Sequence, residues 1–99
     1  MRLEVTDSAW SSLDALTVFW SDRSTDAAID ARVDELWEAL LWLLDHPGAG
    51  QVEECLSAFG KEHRRWIVGD VKVIYRLGPD VLYVTDFFDS RQDPKKMKG

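Results

Sequence analysis

Arg2-Leu3-Glu4-Val5 alternates polar and apolar positions, the period of a strand with one buried face. Thr6, Asp7 and Ser8 follow as N-cap candidates for a helix whose apolar positions Trp10, Leu13, Thr17 and Trp20, with Leu16 and Phe19 beside them, recur at helical spacing. A polar break, Ser21 to Thr25, brings fresh cap residues. In the next stretch Ile29, Val33, Leu36, Leu40 and Leu43 step by four, three, four and three, and Trp37, Leu41 and Leu44 widen the stripe into a core-facing helical surface. His46-Pro47-Gly48 ends it, because the residue before proline avoids helical angles. Residues 48–63 keep no sustained period and predict a loop with a short helical turn around Val52 to Phe59. Three strand signals then come close together: Arg65 to Val68, the two-residue turn Gly69-Asp70, Val71 to Leu77, the turn at Gly78-Pro79-Asp80, and Val81 to Phe88. Short connections make these antiparallel neighbours. The order is β-α-α-β-β-β, an α+β fold with a helical hairpin packed on an antiparallel sheet, over a single domain of residues 1–99.

Charge divides this pattern unevenly. Net charge is −6, but residues 1–62 carry four bases against 13 acids, and residues 63–99 carry eight bases against five acids. The C-terminal part is therefore the half suited to an anionic partner. Asp26, Asp30, Asp34 and Glu38 recur every four residues on the second helix, which reads as a solvated face. The single cysteine, Cys55, excludes an internal disulfide, is expected as a small buried hydrophobe, and with the lack of an apolar leader points to a cytoplasmic protein. The longest strongly apolar run, Ala39 to Leu44, is too short to span a bilayer, so no membrane association is expected.

No glycine-rich phosphate loop, HExxH, paired CxxC or serine elbow is present. His46 and His63 lack a cysteine partner at ligand spacing, so neither a metal nor a cofactor is expected. The chemistry the sequence does offer is cationic. On the strand Val71–Leu77, residues Val71, Val73, Tyr75 and Leu77 share the face suited to the helices, and Lys72, Ile74 and Arg76 share the free one. Lys61, His63, Arg64 and Arg65 precede the second strand, and Arg91 follows the last. Together these bases can form one phosphate-holding surface, or they can be taken up by local acids such as Asp86 and Asp89. Tyr75, Tyr83 and most of the five tryptophans are expected in or near the core, with Trp42 off the main stripe. The tail carrying Lys95, Lys96 and Lys98 reads equally as a solvated terminus.

The run RRWIVGDVKVIYRLGPDVLYVTDFFDSRQDPKKMK resembles the C-terminal half of RelE/ParE-type toxins of bacterial type II toxin–antitoxin modules, the family that includes plasmid stabilisation proteins. The matching pieces are Val73-Ile74-Tyr75-Arg76-Leu77, the turn Gly78-Pro79-Asp80, and Phe88 to Pro94 with Arg91 at the end of the last strand. The exit His46-Pro47-Gly48 is similar to that family's helix exit. The resemblance implies the RelE/ParE-like fold and a growth-inhibiting toxin neutralised by a cognate antitoxin, as a homodimer or a heterotetramer with it. Two branches differ in target. In the ribosome-dependent mRNA endonucleases, Lys72, Arg76 and Arg91 would be the catalytic, phosphate-handling residues, and Lys61, His63, Arg64, Arg65 and Asp89 would contact phosphate or partner. ParE-like members act on DNA gyrase and need no nuclease site. Asp89 stands where many relatives have histidine, no Tyr or His follows Arg91, and the charge is −6. These departures favour the ParE-like branch over the endonuclease. A non-toxic binding module of the same fold is the third reading.

Overall fold

The computed structural model describes residues 1–99, except that the side chain of Phe59 lies outside the described set. Strand β1 (Arg2–Val5) leads into helix α1 (Asp7–Ser21), then helix α2 (Asp26–Asp45). A short strand β2 (Gln51–Val52) and a 3-10 helix (Glu54–Phe59) precede β3 (His63–Val68), β4 (Val71–Gly78) and β5 (Val81–Asp89), and a 3-10 turn (Pro94–Lys96) follows. The predicted β-α-α-β-β-β order is present.

Both helices start where cap chemistry indicates. Thr6 Oγ1 accepts from Ala9 N at 3.2 Å and Thr25 Oγ1 accepts from Ala28 N at 3.1 Å. Each such cap is worth about 1 kcal/mol. At the other end of α2, the His46 backbone N–H reaches back to the carbonyls of Trp42 and Leu43.

The sheet runs β1-β5-β4-β3-β2. It is mixed rather than antiparallel throughout: β1 lies parallel to β5, pairing Arg2 with Val81 through Val5 with Val84. The helical hairpin returns the chain from the end of β1 to the far side of the sheet, so the last strand is the neighbour left for it. The two-residue strand β2, absent from the sequence expectation, pairs with Arg64 and Arg65 at the other edge. A bulge at Thr85 shifts the β4–β5 register between Ile74/Asp86 and Tyr75/Val84.

The main core lies between helices and sheet, where Leu13, Leu16 and Trp20 of α1 and Leu36, Leu40 and Leu43 of α2 meet Val71, Val73, Tyr75, Leu82, Val84 and Phe87. Burying each large apolar side chain contributes roughly 1.5–3 kcal/mol. The opposite sheet face is not free, as the strand alternation suggested. Leu56 from the 3-10 helix and Met97 from the tail cover Ile74 and Phe88 in a second cluster. The tail backbone is accordingly docked, while Lys95, Lys96 and Lys98 stay exposed as a solvated terminus has them: Lys98 N donates to Asp86 Oδ2 at 3.0 Å, and Thr85 Oγ1 donates to Lys98 O at 3.2 Å.

The four helix acids Asp26, Asp30, Asp34 and Glu38 are all exposed, as a solvated face requires. Tyr75 is fully buried, and burial pushes its hydroxyl above the usual phenol range. Cys55 is exposed on the 3-10 helix, contrary to expectation, because Leu56 is the residue that helix turns inward. Trp42 is exposed as expected and stacks between His46 and Trp66, but Trp10 is exposed as well. Among the described residues, no helix is long and apolar enough to cross a membrane.

Candidate functional site

β1 ends at Val5, opposite Val84, while β5 continues to Asp89. The last stretch of β5 therefore has no strand beside it on that edge. A cleft of about 730 Å³ lies there. Ser11, Ser12, Ala15 and Phe19 of α1 form one wall, the tail residues Lys96 and Lys98 form the other, and Arg91 stands beside the end of the strand. The small side chains on α1 are what leave the room. Phe19 is exposed, and Val18 beside it more so, so the cleft has an apolar rim.

Arg91 is committed within this cleft. Its Nε donates to Asp89 Oδ1 at 3.0 Å and its Nη2 to Asp89 Oδ2 at 2.8 Å. The paired guanidinium holds the Asp89 carboxyl below the usual carboxylate range, against the opposing effect of burial, and Asp89 in turn raises Arg91. Arg91 Cζ also lies 5.9 Å from the Phe19 ring, on the helix side of the sheet.

The remaining bases lie elsewhere. Lys72 pairs across β5 with Phe88, on the face that Leu56 and Met97 cover. Its Nζ is 3.6 Å from Glu53 Oε1, and Arg65 Nη1 is 3.1 Å from Glu53 Oε2. Glu53 is buried, so a single carboxylate serves both cations. Arg64 Nη2 is 2.8 Å from Glu62 Oε1, and its Nη1 donates to Gly50 O at 2.7 Å. Arg76 stacks 4.1 Å above the Tyr83 ring, with His63 opposite it on β3. His63 is buried, and its Nδ1 lies 3.1 Å from Lys61 O. Burial, with Arg76 and Lys61 nearby, lowers its pKa, partly offset by that backbone contact.

The expected single cationic surface thus divides into three groups. Arg91 sits with Asp89 beside α1, Lys72 and Arg65 share Glu53, and Lys61, His63, Arg64 and Arg76 gather near the end of β4. The tertiary fold separates them because Lys72 and Arg76, on one sheet face, lie towards opposite ends of β4, while Arg91, two residues past β5, turns to the other face. Pairing with Asp89 follows the second of the sequence readings, but Asp86 is taken by the tail backbone rather than by a base.

Nothing local in the sequence marks Glu53 for burial, because it sits in a stretch without period. The cleft wall leaves a fainter trace: Ser11, Ser12 and Ala15 are three small residues on one side of the helix. Among the described residues no group of His, Cys, Asp and Glu is arranged to hold a metal ion.

No family model matches the sequence, and no curated protein matches it. A solved structure described as the "Chromosomal ParDE TA system from P. aeruginosa" is similar to this chain with a TM-score of 0.73 at 18% identity, over 88% of this chain and 92% of that one. The two helices on a five-stranded mixed sheet are the arrangement of that structure, so this chain has the ParE-like fold that the RelE/ParE resemblance led one to expect.

Proposed function

We propose that this protein is the toxin of a type II toxin–antitoxin module, of the ParE-like kind, inhibiting a protein target such as DNA gyrase and neutralised by a cognate antitoxin. The observation that carries the reading is the likeness of fold along 88% of the chain to a member of a ParDE TA system. The cleft beside α1 supports the antitoxin part of it. A strand edge without a neighbour, flanked by exposed Phe19 and by Lys96 and Lys98, suits an extended segment that orders on binding. The apolar side chains left bare on α1 and α2, among them Trp10, Val18 and Leu41, point the same way.

The ribosome-dependent endonuclease reading is less well supported. It needs Lys72, Arg76 and Arg91 around one phosphate, whereas Arg91 is bound to Asp89 on the helix side and Lys72 faces Glu53 on the other.

Induced expression in a bacterial host tests both. Growth arrest relieved by co-expression of the neighbouring short reading frame, with an SOS response and gyrase-linked DNA breaks, is the expected outcome. Rapid loss of translation with cuts mapped to translated mRNA would transfer the assignment to the endonuclease. Normal growth at high expression would sink both readings and leave a non-toxic binding module.

A further inference from the structure

At the end of β4 a notch of about 350 Å³ is lined by Lys61, Glu62, Arg64, Arg76 and the turn from Leu77 to Pro79. Its charge balance is uneven. Glu62 is the one carboxylate in the lining, and Arg64 already neutralises it at 2.8 Å. That leaves Lys61 and Arg76 with no carboxylate within ion-pairing distance among the described residues, whereas Arg2, Arg64, Arg65 and Lys72 of the sheet, and Arg91 just past it, each have one.

Arg76 is also held in place. Its guanidinium carbon lies over the Tyr83 ring, 4.1 Å from the centroid. The ring passes so close to Gly78 that a Cβ there would come 2.9 Å from Tyr83 Cε2. The missing side chain at Gly78 therefore lets Tyr83 lie where it supports Arg76. Stacking occupies the face of a guanidinium and leaves its N–H edge available, which is the edge that grips an oxyanion.

We propose that this notch binds a phosphate group, free or as the monoester of a nucleotide, between the Arg76 guanidinium and the Lys61 ammonium. Arg64, fixed by the Gly50 carbonyl, cancels the charge of Glu62, so the acid in the lining does not oppose them. Burial lowers the pKa of the neighbouring His63, and Arg76 and Lys61 add to that lowering as nearby positive charges. The site is separate from the cleft beside α1 and does not depend on the toxin assignment.

The full chain is titrated at low salt with inorganic phosphate and, separately, with adenosine 5′-monophosphate, following the Arg76 Nε–Hε and Lys61 side-chain resonances by NMR. Saturable shifts at both side chains are expected. Equal affinity for the two ligands identifies free phosphate as sufficient, and tighter binding of the monophosphate identifies the nucleotide ester. Lys61→Gln, at an exposed position, and Arg76→Gln should each weaken binding roughly tenfold, and Glu62→Gln should leave it equal or tighter. Arg76→Lys, which keeps the charge and loses the fork, should fall between wild type and Arg76→Gln. The absence of saturable shifts with either ligand, or wild-type affinity in a folded Lys61→Gln variant, would overturn the proposal.

Discussion

Arg91 grips Asp89 at both carboxylate oxygens, and its own backbone N–H donates to Oδ1 at 2.9 Å as well. Asp89 is buried while the Arg91 side chain is largely exposed, so the contact anchors the end of β5 to the turn that follows it. The folded Asp89 carboxyl titrates below its unfolded value, so the pair stabilises the protein above an ordinary aspartate pKa of about 3.9 and is lost as pH falls through the lower folded value. Arg91→Ala should therefore be less stable than wild type at pH 7, with the difference vanishing in strong acid. Urea denaturation at both pH values checks this, and a constant difference would contradict it.

His63 predicts a second pH dependence at higher pH. Burial, then Arg76 and Lys61, disfavour its charged form, so the unfolded chain binds the extra proton more readily. Stability should be full above an unfolded value of about 6.5 and decline as pH falls below it towards the folded pKa. In the Arg76→Gln variant the folded pKa should rise and the decline become shallower, which a histidine NMR titration reads directly.

Tyr75 Oη donates to Pro47 O at 2.8 Å and accepts from Gly50 N at 2.9 Å, joining the centre of β4 to the exit of α2. Tyr75→Phe leaves the buried Gly50 N–H and the part-buried Pro47 carbonyl short of a partner and should cost about 1–3 kcal/mol. Gly50→Ala attacks the same junction by volume, since a Cβ would lie 2.5 Å from Tyr75 Oη and 2.8 Å from Arg65 O. It should cost roughly 1–3 kcal/mol by overpacking. Chemical denaturation of each variant measures these costs, and a neutral result for both would mean that the loop relaxes freely.

Glu53 shows 4% side-chain exposure between Arg65 at 26% and Lys72 at 24%. Glu53→Ala leaves two cations facing each other without their shared anion. The loss should be about 2 kcal/mol, below the value for a fully buried pair because both bases can still reach water. Lys72→Met should cost less, since Arg65 continues to satisfy the carboxylate. If Lys72→Met proved the more damaging, the order of these two contacts would be reversed.

Much of the fold is legible in the amino-acid order because its signals are local. The Thr6 and Thr25 caps, the stripe from Ile29 to Leu43, the stop at His46-Pro47 and the turns at Gly69-Asp70 and Pro79-Asp80 each depend on neighbours a few residues away. The identities of the candidate bases and their likeness to a RelE/ParE pattern belong to the same level. What needed the tertiary structure is the grouping of those bases. Whether Lys72 meets Arg91 depends on which sheet face each occupies, and residues beyond a strand end do not inherit its alternation. The pairing of β1 with β5, the burial of Glu53 and the docking of Met97 across the sheet join segments far apart in sequence, where no local period records the contact. The sequence by itself determined the elements and the supply of charge; packing decided which charges are neutralised in pairs and which, at Lys61 and Arg76, remain without a carboxylate among the described residues.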